Sequence, residues 1–313
     1  MSKVTIYFVC LFKGEHYGST RMRSHDLIEL VSPYLGPELQ ARQIVMPKRS
    51  HPIAQRIWAR MAQRDSIYFF TKQAAKKLDQ RAGEILGSRA RAVCFDYVDG
   101  DPRDYPSELA DIHICSSYAQ EDALKRLQLS GQFAPGPTHV ILHNASLGLM
   151  RLTSKPASFF TAAYIGAPEM TLIPDALKDD VAIVDASNVV SFERNLEHIP
   201  GFALHYCFRK SQEASEFVVK PFTKGVTASF CHANVITSRT VWDAEKLLGS
   251  DYPFLVDDNS EANILEAFDK AKSAFGTAVW RDGLQAMERL RNMVSGPSLA
   301  RSVEGMARLA GVG

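Results

Sequence analysis

The chain has 313 residues, of which 46% are hydrophobic and 23% charged; this is ordinary globular composition at about twice the commonest domain size, so two domains are expected and a disordered or fibrous chain is excluded. Lys plus Arg number 36 and Asp plus Glu 35, a formal net charge of +1, which argues against a basic nucleic-acid binder. Five cysteines (Cys10, Cys94, Cys115, Cys207 and Cys231) are odd in number, scattered and mostly set in apolar runs, the usage of reduced thiols in a cytoplasmic protein.

From the N-terminus, short runs rich in Val, Ile and aromatic residues alternate with stretches of helical period, the pattern of strand–helix–strand units in a parallel sheet. VTIYFVCLF over 4–12 reads as a strand, is too short to span a bilayer and lacks a small-residue cleavage site. Strands are expected at Val4–Cys10, Gln43–Met46, Ser66–Phe70, Ala90–Phe95, Ile112–Ser116 and Thr138–His143, with helices near 20–33, 51–64, 72–86 and 119–128. Helix 51–64, HPIAQRIWARMAQR, has Ile53, Ile57, Trp58 and Met61 with which to pack inward; a basic lobe with exposed aromatics would equally fit attachment to a membrane surface. The polar stretch Asn144–Lys155 then interrupts the pattern, so a division near residue 150 is expected, giving domains 1–150 and 151–313. Beyond it, strands are expected at Phe160–Ile165, Val181–Asp185, Phe202–Tyr206, Asn234–Ser238 and Phe254–Val256. Helices follow the same logic at about 190–197, 223–231, 240–248, 259–274, 277–293 and 298–310. The total charge hides an asymmetry: residues 1–155 carry 21 basic and 15 acidic side chains and 156–313 carry 15 and 20, or +6 against −5.

The most informative stretch is VVKPFTKGVTASFCHANVITSR, 218–239. Pro221 supplies a turn, Thr223 an N-cap hydroxyl, and Gly225 through Cys231 a compact helix of small residues. A helix opening with free N–H groups, a Thr hydroxyl, Lys220 and Lys224 suits a phosphate or diphosphate, because dipole, donors and cations act on one anion. A tightly packed helix with solvated lysines is the plainer alternative. His205, Arg209 and Lys210 close the 202–206 strand, where Arg209 would neutralise charge on a departing diphosphate. At the first strand-to-helix turn, Gly18 permits close backbone approach, Ser19 or Thr20 opens a helix, and Arg21 and Arg23 lie in its first turn against the dipole. Asp96 and Asp99 end the Ala90–Phe95 strand as a base, acceptor ligands or a strand-end turn, with His16 and His25 as other bases. Asp243 and Glu245 follow the 234–238 strand, where carboxylates suit a helix dipole and a ribose diol alike. The sequence has no P-loop, no GxGxxG after the first strand, no CxxC and no HExxH, which removes P-loop phosphoryl transfer, dinucleotide oxidoreduction and zinc hydrolysis.

Thr223-Lys224, the small residues after them and VITSR resemble the Ser/Thr-Lys…Ala…Gly-x-Pro-Val-Ile stretch of retaining-type, group 1-like GT-B glycosyltransferases. Other pieces fall in the same order: AVCFDYVDG (92–100), ADIHICSSYAQEDAL (110–124), AAYIGAPE (162–169) with its Tyr-x-Gly strand, and LLGSDYPFLVDDN (247–259). The resemblance implies α/β architecture with two Rossmann-like lobes facing across a cleft. By it, the C-terminal lobe binds a UDP- or GDP-sugar and the other lobe takes a glycan or lipid-linked acceptor. It implies Asp96, Asp99 and Arg209 as catalytic, and Gly18, Ser19, Arg21, Gly166, His205, Lys220, Thr223, Lys224, Thr227, Asp243 and Glu245 as donor-binding. It implies no cofactor, no metal, no nucleic acid, and a cytoplasmic place with peripheral contact at the inner membrane face left open. Two glutamates that many members carry fall here at Val219 and Thr227, and His232 and Asn234 stand where Gly and Pro are usual, marking a divergent branch. Beside transfer stand a sugar-nucleotide epimerase or hydrolase and a non-catalytic binding protein of the same fold. Because cations and a helix dipole supply the charge in this reading, turnover is expected to be unchanged by a chelator; loss of activity restored by Mg or Mn ions would overturn it.

Overall fold

The computed structural model describes residues 3–11, 18–153, 155–210 and 216–312, and it divides into two compact units. The first begins with β1 (Val4–Cys10), α1 (Gly18–Arg21) and α2 (Leu27–Val31), joined by a π turn at Met22–Asp26. It continues through β2 (Leu39–Val45), α3 (Pro52–Met61), β3 (Ile67–Phe70), α4 (Lys72–Lys76), α5 (Gln80–Gly87), β4 (Ala92–Asp96), β5 (Ile112–Cys115), α6 (Tyr118–Leu129) and β6 (Thr138–Val140). Its strands form one parallel sheet in the order β2-β1-β3-β4-β5-β6. Side chains alternate across a strand, so both faces of a covered parallel sheet must be apolar. Ile6, Phe8, Ile67, Phe69, Ala92, Cys94, Ile112 and Ile114 fill one face. Val9, Tyr68, Phe70, Val93, Phe95 and Cys115 fill the other. Helix starts follow local chemistry: the Asp79 carboxylate caps α5 by accepting from the Ala82 N–H, and Ser117 caps α6 by accepting from Gln120.

The second unit carries α7 (Leu147–Arg151), β7 (Ala162–Gly166), β8 (Val181–Asp185), α8 (Val189–Asn195), β9 (Leu204–Tyr206) and α9 (Thr223–Phe230). It goes on through β10 (Asn234–Ser238), α10 (Ala244–Leu248), β11 (Leu255–Val256), α11 (Glu261–Ala274) and α12 (Ala278–Met293), with a parallel sheet in the order β11-β10-β9-β7-β8. Trp280 of α12 anchors its core, packing on Phe254, Phe275 and Phe160 with ring centroids 5.6, 5.1 and 6.2 Å away. Asn234 is buried and satisfied: its amide donates to the Trp280 carbonyl at 3.1 Å and its oxygen accepts from the Tyr252 hydroxyl at 3.1 Å. His232 adopts φ +53°, the left-handed conformation that favours glycine.

The division expected near 150 falls at His143/Asn144, and the chain returns to the first unit over 216–221 and again from Ser295. The return is driven by the apolar stripe of α13 (Gly296–Leu309), whose Leu299, Ala300, Val303, Met306 and Ala307 complete the core under Ile6, Phe8 and Leu27. Polar ties fix it there: Glu304 accepts from the Gly36 N–H at 2.9 Å, and His139 Nε2 lies 2.7 Å from the Ser302 carbonyl. All five cysteines are free and buried.

At the carboxyl end of β4, Asp96 is wholly buried against Arg23, itself wholly buried in the π turn. Arg23 donates from Nε to Oδ2 at 2.8 Å and from Nη2 to Oδ1 at 3.3 Å, and its Nη1 donates to the Leu142 carbonyl at 3.0 Å. Removing one partner of such a pair strands the other charge. Asp96→Ala is therefore expected to lower the unfolding free energy by roughly 3–5 kcal/mol in urea titrations. A loss below about 1 kcal/mol, the range of exposed pairs, would show that the pair carries no such load.

Candidate functional site

Both sheets share one topological feature. The strand order turns back between β1 and β3 in the first unit and between β7 and β9 in the second, and in open α/β sheets ligands bind at the carboxyl ends of strands at such a reversal.

In the second unit β7 ends in Tyr164-Ile165-Gly166 and β9 in His205-Tyr206. The first turn of α9 closes over them. Lys224 donates from Nζ to the Ile165 carbonyl oxygen, and its ammonium lies 3.9 Å from the Tyr164 ring centroid. Gly166, at φ +158°, makes this approach possible: a Cβ there would stand 2.9 Å from Nζ and 3.1 Å from the Tyr164 hydroxyl. Ile165, His205, Tyr206, Cys207, Lys224 and Thr227 line a recess of about 30 Å³, sized for one oxygen-bearing group.

Burial lowers the Lys224 pKa from 10.5 to about 8, Cys207 works against the shift, and the Arg209 charge adds to it. Arg209 therefore lies within the field of Lys224, its backbone bridged to Thr171. Among the described residues no carboxylate is in the set of groups that shift Lys224, and a largely buried cation faces the recess. His205 stays neutral, its pKa lowered to about 3 by burial and then by Lys224, and its buried Nε2 has no hydrogen-bond partner.

Thr223 is not the N-cap expected of it. It is the first helical residue, Phe222 occupies the cap position, and no side chain caps the helix. The Phe222 ring folds under the helix start because position 225 is glycine; a Cβ there would meet the ring at 2.0 Å. The cap position thus offers the amides opening α9 no side-chain acceptor, an arrangement suited to an anion.

Of the other donor-side residues, Lys210 is exposed and donates to the Glu169 carbonyl at 3.0 Å, and Lys220 belongs to the 216–221 segment of the first unit. Asp243 precedes α10 in a left-handed conformation, and Glu245 pairs with Arg239, so neither lines the recess. Tyr164 lies on the Tyr-x-Gly strand, but nothing in the local sequence marks its ring as the seat of a cation.

In the first unit, Asp96 is consumed by Arg23, whereas Asp99 is partly exposed and accepts from Lys72 Nζ at 2.6 Å. Burial pushes the Asp99 carboxyl up, but the Lys72 hydrogen bond and charge, with His143 nearby, hold it below its ordinary value. The turn that delivers Asp99 is strained: Val98, β-branched, takes φ +54°. Its carbonyl is fastened by the Ser116 hydroxyl at 2.9 Å and the Gln120 amide at 2.6 Å. Lys72 and His143 have no mark in the sequence as neighbours of Asp99, because local patterns do not show which strand ends come together.

Gly18 and Ser19 begin α1. Arg21 and His25 both turn to the buried Asp26 carboxylate, at 3.6 and 3.1 Å. His16 lies outside the described residues. Among the described residues no three His, Cys, Asp or Glu side chains gather as a metal-binding set.

No protein-family profile matches the sequence and no curated protein matches it. Among solved structures, an α,α-trehalose-phosphate synthase (UDP-forming) from Burkholderia vietnamiensis is similar with a TM-score of 0.60 at 9% identity, covering 99% of this chain and 100% of that one. HepE from Anabaena, in complex with UDP, gives 0.56 at 10% identity over 97% and 99%. A chain of the GtfA/B complex gives 0.55 at 13% identity over 83% of this chain, which spans only 61% of that chain's length. The sheet orders, the helices on the sheets and these likenesses together show that the chain is built of the two Rossmann-like lobes of the GT-B fold.

Proposed function

We propose that the second unit holds the diphosphate of a nucleotide sugar at the β7/β9 reversal, and that the chain transfers the sugar to an acceptor hydroxyl. The observation that carries this reading is Lys224: a largely buried ammonium in the first turn of a helix whose cap residue offers no side-chain acceptor, with Arg209 in its field and no carboxylate among the described residues that shift it. A cation kept in that state costs stability unless an anion answers it. The solved likenesses are consistent, since one is a UDP-forming synthase and HepE is known with UDP and with UDP-glucose.

In such a transfer the bond from the anomeric carbon to the diphosphate oxygen breaks, the acceptor oxygen bonds to that carbon, the leaving oxygen takes the electron pair and its negative charge, and the acceptor's proton passes to that oxygen or to a carboxylate. Lys224, Arg209 and the first amides of α9 would meet that charge without reorganising, which is where fixed donors contribute most. Thr227 and the Ile165–Gly166 backbone would border the same group. On the acceptor side Asp99 is the better candidate than Asp96. It is ionised, partly exposed and fixed by Lys72, whereas both Asp96 oxygens are taken by Arg23.

A second reading, binding without turnover, draws on Val219, which is fully buried where the resemblance puts a glutamate. It would show as a nucleotide sugar that binds and is returned unchanged.

Lys224→Ala is expected to weaken UDP and GDP binding by about tenfold or more in calorimetry, equivalent to about 1.4 kcal/mol; a variant that binds both as the parent does would remove the site. The sign of the pH dependence follows from a pKa near 8. Below it the ammonium is charged and affinity is flat; above it the free protein must take up a proton to bind, so affinity falls by up to about tenfold per pH unit. Lys224→Arg, charged throughout, is expected to lose that fall, and a parent profile flat from pH 7 to about 9.5 would contradict the assignment.

A further inference from the structure

The second unit has another recess, at the end of its parallel sheet opposite Lys224. Where α9 ends and β10 begins, α9 and the α12 helix packed on it leave a cavity of about 370 Å³, within the range of sites that take a small organic molecule. It shares no residue with the recess at the β7/β9 reversal, and the α9 helix puts about 12 Å between the two. One wall is a face of α12, with Leu284 and Met287 as an apolar middle and a guanidinium at either end, Arg281 and Arg291, about 15 Å apart along the axis. His232 stands opposite. Its φ of +53° is a backbone cost that glycine would not carry, and its ring seats Arg291. Nη1 lies 3.0 Å from Nδ1 and 3.1 Å from Nε2; near-equal distance from both nitrogens puts the guanidinium over the ring face, because in the ring plane it would collide with Cε1. The imidazole aims Arg291 without neutralising it, since burial and then the Arg291 charge lower the His232 pKa, with Glu288 working against them. Glu288 reaches Nη2 at 3.3 Å with 61% of its side chain exposed, a surface pair of the kind that contributes little.

We propose that this recess is a second ligand site, for a small organic oxyanion, a carboxylate or a phosphate monoester on an apolar body, whose charged end pairs with Arg291 and whose body covers Leu284 and Met287. Complementarity identifies the ligand. A guanidinium matches carboxylate and phosphate alike with two parallel hydrogen bonds, and one already held against a ring has less freedom to lose on pairing. Inorganic phosphate answers Arg291 but leaves the apolar middle in water. A neutral apolar molecule covers the middle and leaves Arg291 to the weak Glu288 pair. A molecule with both parts answers both, in a cavity that pairs an apolar floor with a few placed polar groups. All the groups belong to the second unit, and none of them is used by the donor site, so either site can fail without the other.

The test is calorimetry on the full chain with phenyl phosphate and phenylacetate, set against inorganic phosphate and benzyl alcohol, which each carry half of the chemistry. At least one aryl anion is expected to bind about tenfold or more tightly than either half, and the tighter of the two identifies the head group. Arg291→Gln should weaken it by about tenfold, and Gln285→Glu, which sets a repelling charge at an exposed position of the same wall, by roughly fivefold. Arg281→Gln removes an exposed charge from the far end and should cost less than about twofold. His232→Gly should weaken binding by roughly fivefold while its thermal midpoint stays level or rises, because glycine relieves the left-handed backbone. The other variants change side chains that are wholly or partly exposed, and their midpoints should match the parent's. Lys224→Ala and saturating UDP should leave aryl-anion binding unchanged. Inorganic phosphate binding as tightly as the aryl anions would mean an adventitious ion only and overturn the proposal. Equal losses from Arg281→Gln and Arg291→Gln, competition by UDP, or no binding of either aryl anion would overturn it as well.

Discussion

When parallel strands follow one another in a sheet, each right-handed crossover lays its helix over the strands it joins. Where the order turns back, two successive connections leave on opposite sides, and the strand ends between them stay uncovered. The second unit turns back between β7 and β9, so the Ile165 carbonyl, the Tyr164 ring face and the edge of Cys207 lie open at one point. α9 fills that opening with a cation instead of an apolar side chain. Gly166 and Gly225 are both consequences of how closely it must approach, one admitting the ammonium and the other the Phe222 ring.

The two units treat buried charge in opposite ways. Arg23 and Asp96 are sealed together, with a main-chain carbonyl as third partner, and that pair fixes the helical run 18–31 to the end of β4. Such a pair gives geometry and offers little to a ligand. Lys224 has a carbonyl and an aromatic face, with no carboxylate among the described residues that shift it, and its proton is correspondingly loose. Asp99 lies between these extremes: it has a counter-ion in Lys72, keeps access to solvent, and is set in place by a strained Val98 turn. In a single fold, whether a charged residue is scaffold or candidate chemistry thus depends on how completely its partners satisfy it.

The sheets were legible because their signal is local. Ile6 and Phe8 against Tyr7 and Val9, or Ile67 and Phe69 against Tyr68 and Phe70, carry the two-residue period of strands covered on both faces. Lys224 at a helix opening was legible for the same reason. What escaped depends on residues far apart in the chain. Asp96 and Asp99 look equivalent until Arg23, over seventy residues away, claims one of them. Thr223 reads as a cap until Phe222 is seen tucked against Gly225. Periodicity marks two candidate faces of 51–64, and Tyr68 and Phe70 choose the one that carries Trp58. That 216–221 and the stretch from Ser295 rejoin the first unit has no local mark, because turn-forming residues show where an element ends, not which core the next one joins.

The membership of α13 in the first unit bears on how the chain is made. Leu299, Val303 and Met306 lie under Ile6 and Phe8, so the lobe synthesised first lacks a wall of its core until α13, which follows the whole second lobe, has left the ribosome. Domains that fold as they emerge ordinarily finish in chain order. Here the second lobe has its whole sequence available while the first still exposes an apolar sheet face, and completion of the earlier lobe must wait for the later one to be finished.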